Sequence, residues 1–237
     1  MKIVGIIPSR YESSRFPGKP LIDLAGKTMI QRVYEGASKS QRLNQVIVAT
    51  DDQRIYDEVT SFGGEVMMTS ESNRNGTERC AEVAAQIDAD VVINIQGDEP
   101  LIDPNQIDQL CQLFSREGVE IGSLAISCSD EDYSNPNRIK LVIDSNGKAL
   151  YFSRSPIPNR EKGNSDYPTL RHIGLYGYRS EVLQRLSQLS ETALERTESL
   201  EQLRWIFHGW MIHIAMTDIE TPNIDVPEDV EKVLDLL

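Results

Sequence analysis

Cysteine, histidine and cationic residues are all scarce in this chain. Its cysteines are Cys80, Cys111 and Cys128, an odd set at wide spacing, which fits neither a disulfide framework nor a zinc site and suits reduced thiols in a cytoplasm. His172, His208 and His213 have no metal-ligand spacing, and no serine stands in a recognisable arrangement with His and Asp, so metallohydrolase and acyl-transfer chemistries are disfavoured. Lys and Arg number 24 against 37 Asp and Glu, a formal net charge of -13. That balance argues against nucleic acid or an anionic membrane as the main partner, because both reward a broad basic surface. No apolar run approaches a membrane span, and the N-terminal KIVGIIPSR lacks both the h-region and the small-residue cleavage site of a signal peptide. Two nucleotide fingerprints are missing as well. No G-x-G-x-x-G follows the first apolar run, and Gly26-Lys27-Thr28 lacks the upstream glycine that a P-loop needs.

What is present is an alternation of periods within 237 residues, 39% of them hydrophobic, with neither a repeat nor a clear boundary. Short β-branched runs at residues 2–7, 45–50, 65–69 and 90–95 predict strands. Between them, Met29, Ile30, Val33, Tyr34 and Ala37 share one helical face, and residues 54–62 and 78–87 repeat the scheme. Strands spaced by helices imply a parallel sheet with crossovers. The second half is less regular: residues 138–144 and 149–153 read as a hairpin around Asn146-Gly147, and 159–169 as a polar surface loop. Strands are expected at 174–178 and 211–216, helices at 181–190 and 199–207, and a last helix opening at Pro227.

In such sheets ligands bind beyond the carboxyl ends of the strands, which makes the polar groups there the candidates. The strongest is residues 6–21, IIPSRYESSRFPGKPL, where Arg10, Arg15 and Lys19 gather around Pro8, Pro17 and Gly18. Guanidinium forks and an ammonium are what a triphosphate requires. Gln96-Gly97-Asp98-Glu99-Pro100 puts two carboxylates after an apolar strand, where hard oxygens suit Mg²⁺ held against phosphates, the competing role for Asp98 being a turn. Asp225 is either a partner carboxylate or the N-cap of the Pro227 helix. In Asn75-Gly76-Thr77-Glu78-Arg79, Gly76 can bring backbone close to a flat base while Asn75 or Thr77 caps a helix.

Taken in order, IIPSRYESSRFPGKPL, VATDD, NGTER, INIQGDEP, ALYFSRSPIP, RHIGLYGYR and ESLEQLR resemble the 3-deoxy-manno-octulosonate (Kdo) cytidylyltransferases over nearly the whole chain. The CMP-sialic acid synthetases are similar in fold and reaction, but YFSRSPIP and H-x-G-x-Y-G-Y point to the Kdo branch. The resemblance implies an α/β fold, a Rossmann-like mixed, mainly parallel sheet flanked by helices, of the nucleotide-diphospho-sugar transferase type. It implies a single domain over residues 1–237, with an inserted hairpin and loop region at about 138–180 serving sugar binding and dimerisation.

The same resemblance implies transfer of CMP from CTP to the anomeric hydroxyl of Kdo, giving CMP-Kdo and pyrophosphate. The enzyme would be a cytoplasmic homodimer feeding lipopolysaccharide or capsule synthesis, without nucleic acid and without membrane insertion. The alternatives are transfer to a related keto-acid sugar, such as 8-amino Kdo or a nonulosonic acid, or a CTP-binding protein without catalysis. By position, Pro8, Arg10, Ser14, Arg15 and Lys19 are expected around the CTP phosphates, and Asn75, Gly76 and Thr77 at the cytosine. Asp98 and Asp225 are the expected Mg²⁺ ligands, and Arg10, Lys19, Asp98 and Asp225 the catalytic set. Gln96, Arg154, His172, Tyr176, Glu201 and Gln202 are expected in the Kdo pocket, with Arg154 on the sugar carboxylate. The dimer surface is expected around residues 151–158 and 175–178. Ser9, Asn73, Asn75 and Val226 depart from the family pattern, and those at Asn73 and Asn75 concern the base more than the sugar.

Overall fold

The computed structural model describes residues 1–12, 16–162 and 167–237. In chain order its strands are β1 (Ile3–Ser9), β2 (Asp23–Leu24), β3 (Lys27–Thr28), β4 (Gln45–Thr50), β5 (Val66–Met68), β6 (Val91–Asn94), β7 (Ile121–Ser127), β8 (Lys140–Ile143), β9 (Ala149–Ser153), β10 (Leu170–Arg179) and β11 (Ile212–Met216). The helices are α1 (Met29–Ala37), α2 (Gln53–Ser61), α3 (Gly76–Ala84), α4 (Pro104–Leu113), α5 (Asp130–Ser134), α6 (Ser180–Ser187), α7 (Ala193–Glu198), α8 (Gln202–Phe207) and α9 (Asp229–Leu234), with a 3-10 turn at Lys19–Leu21.

Alternation along the strands sorts the core onto two faces. On β1, Val4 and Ile6 enter one apolar cluster while Ile3 and Ile7 enter the other; on β4, Ile47 and Ala49 separate from Val46 and Val48 in the same way. Strands buried on both faces need continuous apolar runs, which is why these segments lack a polar side. Helices α3 and α6 cover the first face with Cys80, Val83, Val182 and Leu183, and α1, α2 and α4 cover the second with Ile30, Val33, Ile55, Val59, Ile107 and Leu110. The helices begin where short polar side chains follow the strands: Thr28, Asp52, Asn75 and Asp103 are extended and each accepts a backbone N–H from the first turn.

Parallel pairing joins β6, β1, β4 and β5 in that spatial order. Strand β10 enters antiparallel between β6 and β7, and β11 closes the far edge parallel to β7. The hairpin β8–β9 joins β10 through Leu141 opposite Leu170, so one mixed nine-stranded sheet includes it. Gly147, at φ 75°, takes the left-handed position of the hairpin turn.

Three expectations change. The helix expected over residues 199–207 starts only at Gln202, as α8, and Ser199, at φ 52°, closes the preceding α7, an element not expected. Residues 175–178 cannot serve a dimer, because Leu175, Tyr176 and Tyr178 are at most 8% exposed inside the central strand β10. No element is expected between residues 101 and 137, where α4, β7 and α5 form.

Candidate active site

The carboxyl ends of β1, β4 and β6 lie together, with Ser9 opposite Thr50 and Ile6 opposite Asn94 in the registers. A cavity of about 260 Å³ opens over the ends of β1 and β6. Of the residues expected in a site, Pro8, Arg10, Lys19, Asn75, Gly76, Gln96 and Asp98 line it; Ser14 and Arg15 lie outside the described residues. Two glycines make the cavity possible. A Cβ on Gly97 would stand 3.0 Å from the Pro8 carbonyl oxygen, and one on Gly76 would stand 3.1 Å from Pro8 Cγ. Only backbone this bare lets the β6 loop and the start of α3 close around the end of β1.

Lys19 reaches the cavity floor from the 3-10 turn that follows Gly18, whose φ of 73° reverses the chain. Its Nζ donates to Asp98 Oδ2 at 2.9 Å and to the Ile224 carbonyl at 2.7 Å. The Ile224 N–H donates back to the Asp98 carbonyl at 2.9 Å, so the segment before Asp225 is fastened beside Asp98. Asp225 itself lines a separate polar cleft of about 480 Å³ with Arg138 and Lys232. Asp225 does not cap the last helix: Asp229 Oδ2 accepts from the backbone N–H groups of Asp225 and Val226, while Asp225 Oδ2 accepts from Asn223 Nδ2 at 2.7 Å. Among the described residues no group of three or more His, Cys, Asp or Glu gathers as a metal cage. Mg²⁺ takes one or two protein carboxylates and completes its shell with phosphate and water, which suits Asp98 in the cavity; Asp225, expected beside it, lines the separate cleft.

Asn75 caps α3 by accepting from Glu78 N–H at 2.8 Å, whereas Thr77 is buried away from the cavity. The cavity is lined further by Ser9, Pro20, Met29, Asn73, Arg79 and Gly97, of which Asn73, Arg79 and Gly97 lie in or beside the candidate motifs without being expected as ligand contacts. Arg79 is 3% exposed, and its guanidinium is held by Asp51 after β4 and Thr69 after β5.

The residues expected around a sugar fall in two groups. Gln96 belongs to the cavity yet donates through Nε2 to the Gly174 carbonyl at 3.1 Å, at an irregularity of β10. Beside it, His172 packs edge-on to Phe152 and against Tyr176, each with ring centroids 5.2 Å apart. Burial pulls the His172 imidazole down to about 3, and it shares a hydrogen bond of 3.0 Å with Ser123 Oγ. It is a neutral hydrogen-bonding group. Glu201 stands behind the Asn75 turn, its carboxyl pushed up by burial against the opposing hydrogen bond from Thr77. Of the six residues expected around the sugar only Gln96 lines the cavity; Arg154, His172, Tyr176, Glu201 and Gln202 do not. The Arg154 guanidinium donates to the backbone carbonyls of Glu198, Pro136 and Ser199, and Gln202 is buried at the start of α8.

Known proteins agree with this geometry. The family model for cytidylyltransferases matches residues 4–213. A 3-deoxy-manno-octulosonate cytidylyltransferase from Parabacteroides distasonis is 49% identical, the match covering 100% of this chain and 98% of the relative. One of the same name from Syntrophobacter fumaroxidans is 46% identical over 100% of this chain and 97% of the relative. The solved structure of CMP:2-keto-3-deoxy-manno-octonic acid synthetase complexed with CTP superposes with a TM-score of 0.95 at 42% identity, covering 100% of this chain and 98% of that one. With identity sustained from end to end on so nearly superposable a fold, the chain belongs to the 3-deoxy-manno-octulosonate cytidylyltransferase family.

Proposed function

We propose that the protein transfers CMP from CTP to the anomeric hydroxyl of Kdo, with Arg10, Lys19 and Asp98 at the centre of the transfer. The observation that carries this is the contact of Lys19 Nζ with Asp98 Oδ2 in the cavity over β1 and β6. It sets a cation for phosphate and a hard ligand for Mg²⁺ side by side. In the reaction the acceptor oxygen bonds to the α-phosphorus, the bond from that phosphorus to the pyrophosphate oxygen breaks, and the hydroxyl proton passes to solvent water. Arg10 and Lys19 balance the charge that grows on the α-phosphate and the departing pyrophosphate. Gly76 and Gly97 admit the nucleotide against backbone, and Asn75 keeps the start of α3 in place. Mg²⁺, held by Asp98 and Asp225, would supply charge neutralisation on the triphosphate and a lower pKa for the acceptor hydroxyl. Neutral His172, Tyr176 and Gln96 offer hydrogen bonds to the sugar, and His172 takes no proton.

The same proposal has the enzyme working in the cytoplasm as a homodimer, its product feeding lipopolysaccharide or capsule assembly. The odd set of cysteines supports the compartment, and among the described residues no helix is long and apolar enough to cross a membrane. Leu150, 58% exposed on the hairpin, supports that edge as the dimer surface. The test is pyrophosphate release from CTP and Mg²⁺ with a panel of Kdo, 8-amino Kdo and a nonulosonic acid. Release is expected with Kdo. Release with another acid and none with Kdo would overturn the assignment.

A further inference from the structure

Glu201 makes contacts that a sugar-binding role does not require. Its Oε1 accepts from Asn75 Nδ2 at 3.1 Å and its Oε2 from Thr77 Oγ1 at 2.9 Å, so both oxygens hold the first turn of α3 across 126 and 124 residues of chain. That turn presents Gly76 to the nucleotide cavity. Glu201 occupies the N-cap position of α8 with helical dihedrals and makes no side-chain cap there, leaving the carboxylate for the distant turn. Helix α8 is a firm base: Arg204 donates to both oxygens of Glu195 at 2.7 and 2.6 Å, and Trp205 is buried edge-on against Tyr176 and Tyr178. On the β10 side, the hydroxyls of Tyr176 and Tyr178 are buried, the first beside Ser123 and the second beside Thr77, and burial first and Glu201 second hold both in the protonated form. The carboxylate therefore stands between the aromatic wall of the acceptor side and the turn of the nucleotide side.

We infer that Glu201 is a positioning residue for the nucleotide, fixing the turn from Asn75 to Thr77 so that CTP binding depends on it even when no sugar acid is present. The inference rests on the cytidylyltransferase reading above. A carboxylate that only touched the sugar would leave the CTP affinity of the free enzyme alone. One that orders the turn presenting Gly76 must change it, because without that support the turn's ordering is left to be completed on binding.

The experiment is calorimetric titration of the full chain with CTP and Mg²⁺ in the absence of any sugar acid. Glu201→Gln keeps the side chain's size but offers one neutral acceptor oxygen where the carboxylate offers two, so Asn75 Nδ2 and Thr77 Oγ1 can no longer both donate to it. Its CTP dissociation constant is expected to rise about tenfold, the scale of one lost hydrogen bond to a charged group. At saturation with both substrates, kcat should fall by less than that. Thr77→Val should weaken CTP similarly, and the double variant should fall short of the product of the two effects because they share one partner. If both single variants bind CTP as the wild type does, while Glu201→Gln raises only the KM for the sugar acid, Glu201 is an acceptor contact and the inference fails. Should Glu201→Gln not fold, Thr77→Val decides alone: a rise of about tenfold supports the inference, and unchanged affinity overturns it. A wild-type chain that binds no CTP would overturn the cytidylyltransferase reading and this inference with it, whereas normal wild-type binding with unchanged variants overturns this inference alone.

Discussion

Replacing Lys19 by alanine separates two roles that one ammonium fills. As structure, Lys19 donates to Asp98 Oδ2 and to the Ile224 carbonyl, with side-chain exposures of 14% for Lys19 and 29% for Asp98. A pair that wet contributes up to about 1 kcal/mol, and the carbonyl bond about 1 kcal/mol more. For a chain of this length each such unit lowers Tm by about 2–4 °C, so a fall of up to about 4–8 °C is expected from loss of both. In the proposed transfer, Lys19 faces charge that grows as the pyrophosphate departs. Removing one such preorganised group costs about 10²–10³ in kcat. The expected result is therefore lopsided: kcat lower by at least about a hundredfold, CTP binding weakened much less, and a folded protein a few degrees less stable. Pyrophosphate release at saturating CTP and Kdo, CTP calorimetry and thermal unfolding measure the three quantities. An unchanged kcat in a folded Lys19→Ala variant would refute the reasoning and leave Lys19 as a strut between two loops.

Gly97→Ala should lower stability by about 1–3 kcal/mol and weaken CTP, since the added Cβ meets backbone, the Pro8 carbonyl oxygen at 3.0 Å, and not a side chain that can turn aside; wild-type Tm and affinity would contradict it. Glu99 governs a pH effect. Burial first, and Asp98 second, push its carboxyl from 4.5 up to about 7, so over that window the folded state keeps a proton that the unfolded chain releases. The contribution to stability is present below the unfolded value and falls as pH rises through the folded one, by about 3 kcal/mol at most. Glu99→Gln should remove this fall, and a wild-type-minus-variant difference that stays flat across the window, followed by denaturant unfolding, would show the carboxyl to be ordinary. Chelation of Mg²⁺ should stop pyrophosphate release and leave the unfolding of the CTP-free protein unchanged, because no described cluster of metal ligands holds the fold together; a lower Tm on chelation would reveal a structural ion.

The first half of the fold was legible because its signals are local. Alternation in β1 and β4, apolar spacing in α1, and cations crowded after β1 need no knowledge of the rest of the chain. Helix α4 carried a usable signal, Asp103 as N-cap with Pro104 in the first turn and Ile107, Leu110 and Cys111 on one face. Strand β7 carried less. Gly122 and Ser123 interrupt its apolar run, and Gly122 is there because Leu110, Leu113 and Phe114 press against the strand, with Leu110 Cδ1 3.1 Å from where a Cβ would stand. Arg79 and Arg154 mark the limit of residue type as evidence. A guanidinium looks the same in sequence whether it meets an anionic ligand, a buried carboxylate such as Asp51, or the three carbonyls that take Arg154.

Apart from the family resemblance, nothing in the sequence marks His172 and Tyr176, and the reason is topological. In a parallel sheet the residues beyond one edge come from loops after strands, so a search of strand ends finds them. Strand β10 runs the other way, and its register sets Tyr176 against Asn94, the last residue of β6. The first half of β10 therefore projects past the end of β6, pairs there with β7, and turns His172 and Tyr176 into a wall beside Gln96. These residues lie within a strand and have no loop composition to mark them. The α3 turn is bound to that wall through Glu201 and to the ends of β4 and β5 through Arg79, whose partners are Asp51 and Thr69. In the proposed reading both substrate sides share one helix start. A substitution in the acceptor wall that moves α8 must also move the nucleotide turn, even though none of the residues concerned are neighbours in sequence.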